Sequence, residues 1–186
     1  MAIYIALLRG INVGGKNKIK MAELKQTFEQ LGLDRVQTYI QSGNVLFESN
    51  EEEAPLRTRI EQGIEAAFGI GVVVVLRTAE EMKRIIENCP FTAEQVAEAE
   101  AASQVESLYV ALLPEPPAQE GIEKWSAYQT ERDQFRIAGR DVYQLFHHSV
   151  RDSKLANNIP KLGVPATVRN WKTMSKLVAL ATAMEV

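Results

Sequence analysis

The alternation of apolar and polar positions in the first half of the chain predicts six elements. Ile3 to Leu8 is apolar throughout and stops at Arg9-Gly10, as a buried strand does. The apolar positions that follow recur at helical or strand spacing. The elements are strand, helix, strand, strand, helix and strand, over residues 3–8, 21–31, 36–41, 45–47, 51–68 and 72–76. This is the split βαβ, or ferredoxin-like, order, in which two helices cover one face of a four-stranded antiparallel sheet.

A second unit of the same kind is predicted to begin near residue 107. The sequence LYVALL at residues 108–113 echoes IYIALL at residues 3–8, and residues 135–146 have the pattern of a hairpin with Gly139 in its turn. Met174 begins a helical stripe that runs to the C-terminus. We therefore predict an α+β fold with two ferredoxin-like (split βαβ) subdomains, the second incomplete, and a C-terminal helix.

These patterns divide the chain into three parts. Residues 1–78 form the first subdomain, residues 79–106 a helix and linker, and residues 107–186 the second subdomain with the C-terminal helix. Thr78 and Glu81 have the spacing of a capping box, which predicts a helix start at the boundary between the first and second parts. Residues 91–106 are rich in Ala, Glu and Gln, so we expect a solvated linker or a helix with little buried area.

Charge is distributed unevenly along the chain. The formal net charge is only −3, so the whole molecule does not attract nucleic acid strongly. Residues 1–50 carry six basic and four acidic side chains, and residues 151–186 carry six and two, whereas residues 51–106 carry five and twelve. If the two ends meet in space, they form one basic face on an acidic body.

Several kinds of site are disfavoured by the residue types present. Cys89 is the only cysteine, which excludes a disulfide framework and favours a small buried side chain in a reducing cytoplasm. His147 and His148 are neighbours on a predicted strand and are expected to point to opposite faces, so we predict no metal site and no cofactor. No apolar run has the length of a membrane span, and the N-terminus lacks the features of a signal peptide.

The richest candidate chemistry follows the first strand. Residues 10–16 fit the spacing G-x-x-x-x-G-K, as in a phosphate-binding P-loop. Asn17 stands where a P-loop has the Ser or Thr that holds magnesium, and the helix begins only near Met21. No strand ends in the Asp that would complete a magnesium site, so the pattern disfavours nucleotide hydrolysis. It still predicts a basic, amide-rich loop of the kind that binds anions, or a glycine-rich connection with solvated lysines.

Two further groups of polar residues are candidates. Gln41, Ser42 and Asn44 lie in the first hairpin turn, where such side chains often bond their own backbone. In the split βαβ order we expect this turn and the basic loop to lie apart, which weakens a single-site hypothesis. Asn170 or Thr173 has the position of a cap for the last helix, whose free N–H groups favour an anion.

Three stretches together resemble a known family. They are ALLRGINVGGKNKIKM, TYIQSGNVLF, and SKL followed by ATVRNWKTMSKL. In this order they are similar to the bacterial domain of unknown function family 1697. The resemblance runs over nearly the whole chain and implies an α+β fold with two ferredoxin-like subdomains. It implies no reaction, because the family carries no settled biochemical role.

The leading hypothesis is binding of a phosphate-bearing ligand, either a nucleotide or a nucleic-acid backbone, through basic Gly/Asn-rich loops. Two alternatives stay open: an enzyme acting on a small anionic metabolite in a cleft between the subdomains, and a structural or partner-binding domain. The sequence decides neither catalysis nor oligomeric state. The candidate ligand-binding residues are Arg9, Asn12, Lys16, Asn17, Lys18, Gln41, Ser42, Asn44, Arg169, Asn170 and Lys172.

Overall fold

A computed structural model describes all 186 residues. The chain forms two compact units: residues 1–84 together with residues 176–186, and residues 85–175. We call them unit 1 and unit 2. No helix combines the length and the apolar composition that crossing a membrane requires.

Unit 1 contains one four-stranded antiparallel sheet. Its strands follow the order β2-β3-β1-β4, so β1 lies between β3 and β4. Together with the helices that follow β1 and β3, this is the ferredoxin-like topology. The elements are β1 (Ala2–Leu8), α1 (Met21–Gln30), β2 (Asp34–Tyr39), β3 (Asn44–Ser49), α2 (Glu53–Phe68), β4 (Val74–Thr78) and α3 (Ala79–Glu87).

The core of unit 1 lies between one face of this sheet and the two long helices. Alternate residues of β1 share it with Phe47 and with the buried stripe of α2, because successive strand residues point to opposite faces. The Tyr4 and Phe47 rings stack with their centroids 5.7 Å apart. Arg35 ties the C-terminal residues to this unit, since its Nη1 donates to the Met184 carbonyl at 2.6 Å.

Unit 2 repeats the strand order but not the second long helix. Its sheet runs β6-β7-β5-β8, again antiparallel throughout. The elements are α4 (Ala93–Ser103), β5 (Leu108–Leu112), α5 (Gln119–Ser126), β6 (Asp133–Ala138), β7 (Asp141–Phe146), α6 (Lys154–Asn157) and β8 (Thr167–Asn170). The last helix, α7 (Trp171–Met184), begins in unit 2, and its residues from Lys176 onward belong to unit 1. Two 3-10 turns, Val150–Asp152 and Ile159–Leu162, flank the single turn of α6. This broken segment makes the second ferredoxin-like unit incomplete in its helices, whereas its sheet is completed by β8, a strand that the sequence pattern does not predict.

The two units correspond strand by strand. Ile5 of β1 pairs with Arg77 of β4, and Val110 of β5 pairs with Arg169 of β8. The similarity between residues 3–8 and residues 108–113 therefore reflects a structural repeat. Residues 93–103 form a helix with only Ala99 fully buried, which agrees with the helical alternative for this part of the chain.

The start of α2 differs from the sequence pattern, in which Ser49 or Asn50 has the position of a cap for this helix. The cap of α2 is Glu52, which makes no side-chain capping bond. Ser49 instead accepts a hydrogen bond from the Glu51 N–H at 3.1 Å, so it organises the turn before the helix.

Candidate functional site

The loop after β1 is a small hairpin rather than a phosphate cradle. Val13 and Lys16 form an antiparallel bridge around Gly14 and Gly15, whose φ angles are +58° and +75°. A two-residue Gly-Gly turn with both φ angles positive is the type I′ geometry. The Lys16 N–H donates to the Val13 carbonyl at 3.0 Å. In a P-loop this amide would face a phosphate, so the resemblance in spacing does not extend to geometry.

Asn12 joins this hairpin to the β2–β3 turn. Its Nδ2 donates to the Gln41 carbonyl at 2.8 Å and to the Ile19 carbonyl at 3.0 Å. Its Oδ1 accepts from the Ile19 N–H at 2.9 Å. The expectation that loop and turn lie apart is therefore wrong. The reason is that β1 pairs directly with β3 in antiparallel register, which brings the end of β1 to the start of β3.

The other predicted amide residues of this region also hold their own loops. Asn17 Nδ2 donates to the Gly10 carbonyl at 3.1 Å. Asn44 is fully buried, and its Nδ2 donates to the Tyr39 carbonyl at 2.9 Å and to Ser42 Oγ at 3.1 Å. These contacts match the turn-fixing role considered from the sequence. A role in contacting a ligand stays a prediction for these residues.

A cavity of about 600 Å³ lies where the hairpin, the β2–β3 turn and the start of α1 meet. Two of its wall residues are lysines, Lys18 and Lys20, and one is acidic, Glu23. Lys20 is also the N-cap of α1 and makes no side-chain capping bond, so side chains leave the first N–H groups of α1 unsatisfied. The wall consists of Asn12, Gly15, Lys18, Ile19, Lys20, Met21, Glu23 and Gln41.

Sequence reasoning found part of this wall and missed the rest. Asn12, Lys18 and Gln41 were candidates, whereas Gly15, Ile19, Lys20, Met21 and Glu23 were not. Apart from Gly15, the missed residues are those that enter α1. The sequence did contain a signal for Lys20 as an anion-binding residue. A lysine directly before a helix start lies beside the positive end of the helix dipole, and both favour an anion. Arg9 and Lys16 are exposed on the same loop but are not part of the wall.

The remaining predicted residues belong to unit 2. Arg169 is only 8% exposed, and its Nη1 donates to the Val168 carbonyl at 3.0 Å. Burial lowers the pKa of Arg169 to about 10, so the guanidinium still carries its charge at neutral pH. Asn170 Oδ1 accepts from the Thr173 N–H at 2.8 Å and so caps α7, while Lys172 is exposed. A site that these residues share with the basic loop stays a prediction.

The histidines lie just after β7 rather than within it. His148 Nε2 lies 2.6 Å from Asp133 Oδ1, and Thr130 Oγ1 donates to Asp133 Oδ2 at 3.1 Å. Asp133 is 5% exposed, so this hydrogen-bonded group fixes the entry to β6. Nowhere in the chain do three or more His, Cys, Asp or Glu side chains form a group that could hold a metal ion.

Residues 1–143 match the model of the family described as "Protein of unknown function (DUF1697)". The chain belongs to this family. Among solved structures, it is similar to a conserved bacterial protein from Streptococcus pneumoniae, with 24% sequence identity and a TM-score of 0.71. The similarity covers 97% of this chain and 98% of that one, and it shows the shared fold. No curated protein matches the sequence.

The DUF1697 match includes the whole wall of the 600 Å³ cavity. It also includes β1 to β6 and the first three residues of β7, whereas Arg169, Asn170 and Lys172 follow it. The basic loop and its cavity are thus features of the segment by which the chain is assigned to DUF1697.

Proposed function

We propose that this DUF1697 protein binds a small phosphate-bearing ligand, about the size of a nucleotide, in the cavity of unit 1. The observation that carries the proposal is the meeting of the basic hairpin with the β2–β3 turn through Asn12. A volume of about 600 Å³ is within the range of small-molecule sites. A groove that follows a nucleic-acid backbone is normally longer and open along the strand.

Charge at the wall supports an anionic ligand. Lys18 and Lys20 contribute two positive charges against the single negative charge of Glu23. The N-terminal end of α1 adds the partial positive charge of its unsatisfied N–H groups. The partly exposed side chain of Met21 offers apolar surface beside these charges, which suits a phosphate ester with an organic body better than inorganic phosphate alone.

The same proposal includes a cytoplasmic location and no bound cofactor. The single thiol, Cys89, is half-buried and forms no disulfide, which suits a reducing compartment. Burial also raises the pKa of the Cys89 thiol, so the group is a poor nucleophile at neutral pH.

Isothermal titration with AMP, ATP, inorganic phosphate and a single-stranded RNA 20-mer tests the proposal. We expect saturable binding of a mononucleotide that the Lys18→Ala/Lys20→Ala double variant weakens at least tenfold. Lys25→Ala is the matched control, because Lys25 is an exposed lysine on α1 outside the wall. Glu23→Gln should strengthen binding, since it removes the repulsion between a carboxylate and a phosphate.

The salt dependence of binding distinguishes a mononucleotide from a nucleic-acid backbone as the ligand. Binding of RNA alone, with an affinity that falls steeply between 50 and 200 mM salt, would assign the basic loop to a nucleic-acid backbone. Absence of binding to all four probes would refute an anion site here and leave a structural or partner-binding role.

A further inference from the structure

Gln144 occupies in unit 2 the position that Phe47 occupies in unit 1. Phe47 pairs with Tyr4 across β3 and β1, and Gln144 pairs with Tyr109 across β7 and β5. Because the two sheets share one strand order, these positions are equivalent and face the helix-covered side of each sheet. A large apolar side chain in the core of unit 1 thus corresponds to an amide side chain in unit 2.

A second replacement lies beside the first. Leu76 of β4 pairs with Ala6, and Val168 of β8 pairs with Ala111, so Leu76 and Val168 are also equivalent. Leu76 is 1% exposed, whereas Val168 is 37% exposed. In unit 1 the 16-residue helix α2 contributes to the core that contains Phe47 and Leu76. In unit 2 the corresponding connection is the broken segment of residues 150–162.

The broken segment leaves a cavity of about 250 Å³ over β7 and β8. Most of its wall is apolar, and the exposed Arg151 and Asn157 show that it opens to water. An apolar cavity of about 150 Å³ already accommodates benzene, so this one has room for a substituted ring. The wall consists of Gln144, Phe146, Val150, Arg151, Ala156, Asn157, Ile159 and Val168.

Gln144 is the polar group at the inner wall of this cavity. The residue is 1% exposed, and its Oε1 is buried without a hydrogen-bond partner. A buried amide oxygen that lacks a partner costs stability, and native proteins leave few such atoms. A ligand with an N–H group at the inner wall would satisfy Oε1, and its own carbonyl would accept from Nε2.

We propose that this cavity of unit 2 binds a small planar ligand with an apolar body and an amide-like edge, recognised by the Gln144 amide. A primary amide or a lactam on a single ring has this chemistry, because it presents one donor and one acceptor side by side. The apolar wall residues Phe146, Ile159 and Val168 contact the body of the ligand. The site lies in unit 2 and uses none of the residues proposed to bind phosphate in unit 1.

Benzamide is the probe, and toluene is its counterpart without the amide. We expect benzamide to shift the NMR methyl signals of Ile159, Val168 and Ala156, and toluene to bind at least tenfold more weakly. Gln144→Leu should weaken benzamide binding at least tenfold while the variant keeps or gains thermal stability, since it removes the unpartnered oxygen. Gln134→Leu, on the neighbouring strand β6 and outside the wall, is the matched control and should bind benzamide as the wild type does.

Val168→Phe provides a second test that does not alter Gln144. It places a larger side chain at the partly exposed wall and should abolish benzamide binding by filling the cavity. Three results would overturn the proposal: no methyl shifts with benzamide, equal binding of toluene and benzamide, or unchanged benzamide affinity in the Gln144→Leu variant. The last two would show an apolar void without recognition by the amide.

Discussion

Gly121 of α5 lies directly against the backbone carbonyl of Leu162. A Cβ atom at residue 121 would lie 2.2 Å from the Leu162 oxygen, well inside van der Waals contact. The glycine therefore allows the helix to pack on the second 3-10 turn of the broken segment.

Gly121→Ala should destabilise the protein by about 3 kcal/mol, because backbone has to move to relieve the overlap. Gly63→Ala on α2 is the control: its nearest neighbour is Leu31 Cδ1 at 3.0 Å, the end of a flexible side chain. There the higher helix propensity of alanine keeps the change within about 1 kcal/mol of zero. Urea unfolding of both variants measures the difference, and equal stabilities would contradict the close packing at Gly121.

Asn12→Asp tests the hydrogen bonds by which Asn12 joins the basic hairpin to the β2–β3 turn. Aspartate keeps the acceptor for the Ile19 N–H but loses the Nδ2 donor to the Gln41 and Ile19 carbonyls. Both residues tolerate the positive φ angle of 54° at this position, so backbone strain does not change. We expect a loss of about 1–3 kcal/mol in the free energy of unfolding.

Hydrogen exchange locates the effect of Asn12→Asp. The amides of residues 12–19 should exchange faster in the variant, while the amides of unit 2 should keep their protection. Uniformly faster exchange in both units would contradict a stabilising effect of the Asn12 hydrogen bonds that is confined to this loop.

Glu51→Gln should show a pH-dependent effect on stability. Two contacts between the Arg59 guanidinium and the Glu51 carboxylate, one of them Nε to Oε1 at 3.1 Å, lower the pKa of Glu51. A lowered pKa in the folded state stabilises the protein above the unfolded-state value, and this contribution is lost as the pH falls through the folded-state value. Because the pair is partly exposed, we expect the variant to be less stable by only about 0.5 kcal/mol at pH 7.

At pH 3 the difference in stability between the two proteins should be smaller than at pH 7, because the carboxyl of the unfolded wild type, with a pKa near 4.5, is then largely protonated. Chemical unfolding at both pH values tests this prediction. A difference that grows on acidification would have the wrong sign for a lowered Glu51 pKa.

Tyr143 should make the protein sensitive to alkali. Its hydroxyl donates to the Ile85 carbonyl at 2.7 Å, and burial, with the nearby Asp141 charge, raises its pKa to about 12. A raised pKa gives stability that is present below the unfolded-state value near 10 and is lost as the pH rises towards 12. The loss over this interval is roughly 2–3 kcal/mol.

Tyr143→Phe removes that hydroxyl and should be less stable by about 1 kcal/mol at pH 7, because the Ile85 carbonyl loses its partner. Its stability should then fall less steeply between pH 10 and 12 than that of the wild type. Phenolate absorbance of the folded wild type should contain a component that titrates near pH 12 and that the Tyr143→Phe variant lacks. Identical alkaline slopes for the two proteins would contradict the prediction.

The order of the elements in unit 1 and two of the helix caps were predictable because they depend on neighbours in sequence. Hydrophobic periodicity distinguishes strand from helix within a few residues, and the ferredoxin-like order follows. Thr78 and Glu81 form the predicted capping box, with N–H to side-chain oxygen distances of 3.0 Å and 3.2 Å. Asn170 caps α7 for the same local reason.

The candidate site was predictable only in part. A cluster of Gly, Asn and Lys after a strand identified the loop, but it did not separate residues that hold the loop from residues that line a cavity. Asn12 does both, Asn44 makes hydrogen bonds within its own turn, and Lys20 lines the wall although it was not among the candidate binding residues.

By itself, the sequence determined the α+β class, the ferredoxin-like order of unit 1 and the position of a basic loop, because these follow from the spacing of apolar residues and from turn chemistry. Only the tertiary structure decided which distant groups meet. The contact between Asn12 and Gln41, the burial of Arg169 and the unpartnered Gln144 oxygen depend on strand pairing and on what covers each sheet face. Those contacts join residues far apart along the chain, and local periodicity carries no information about the distance between them.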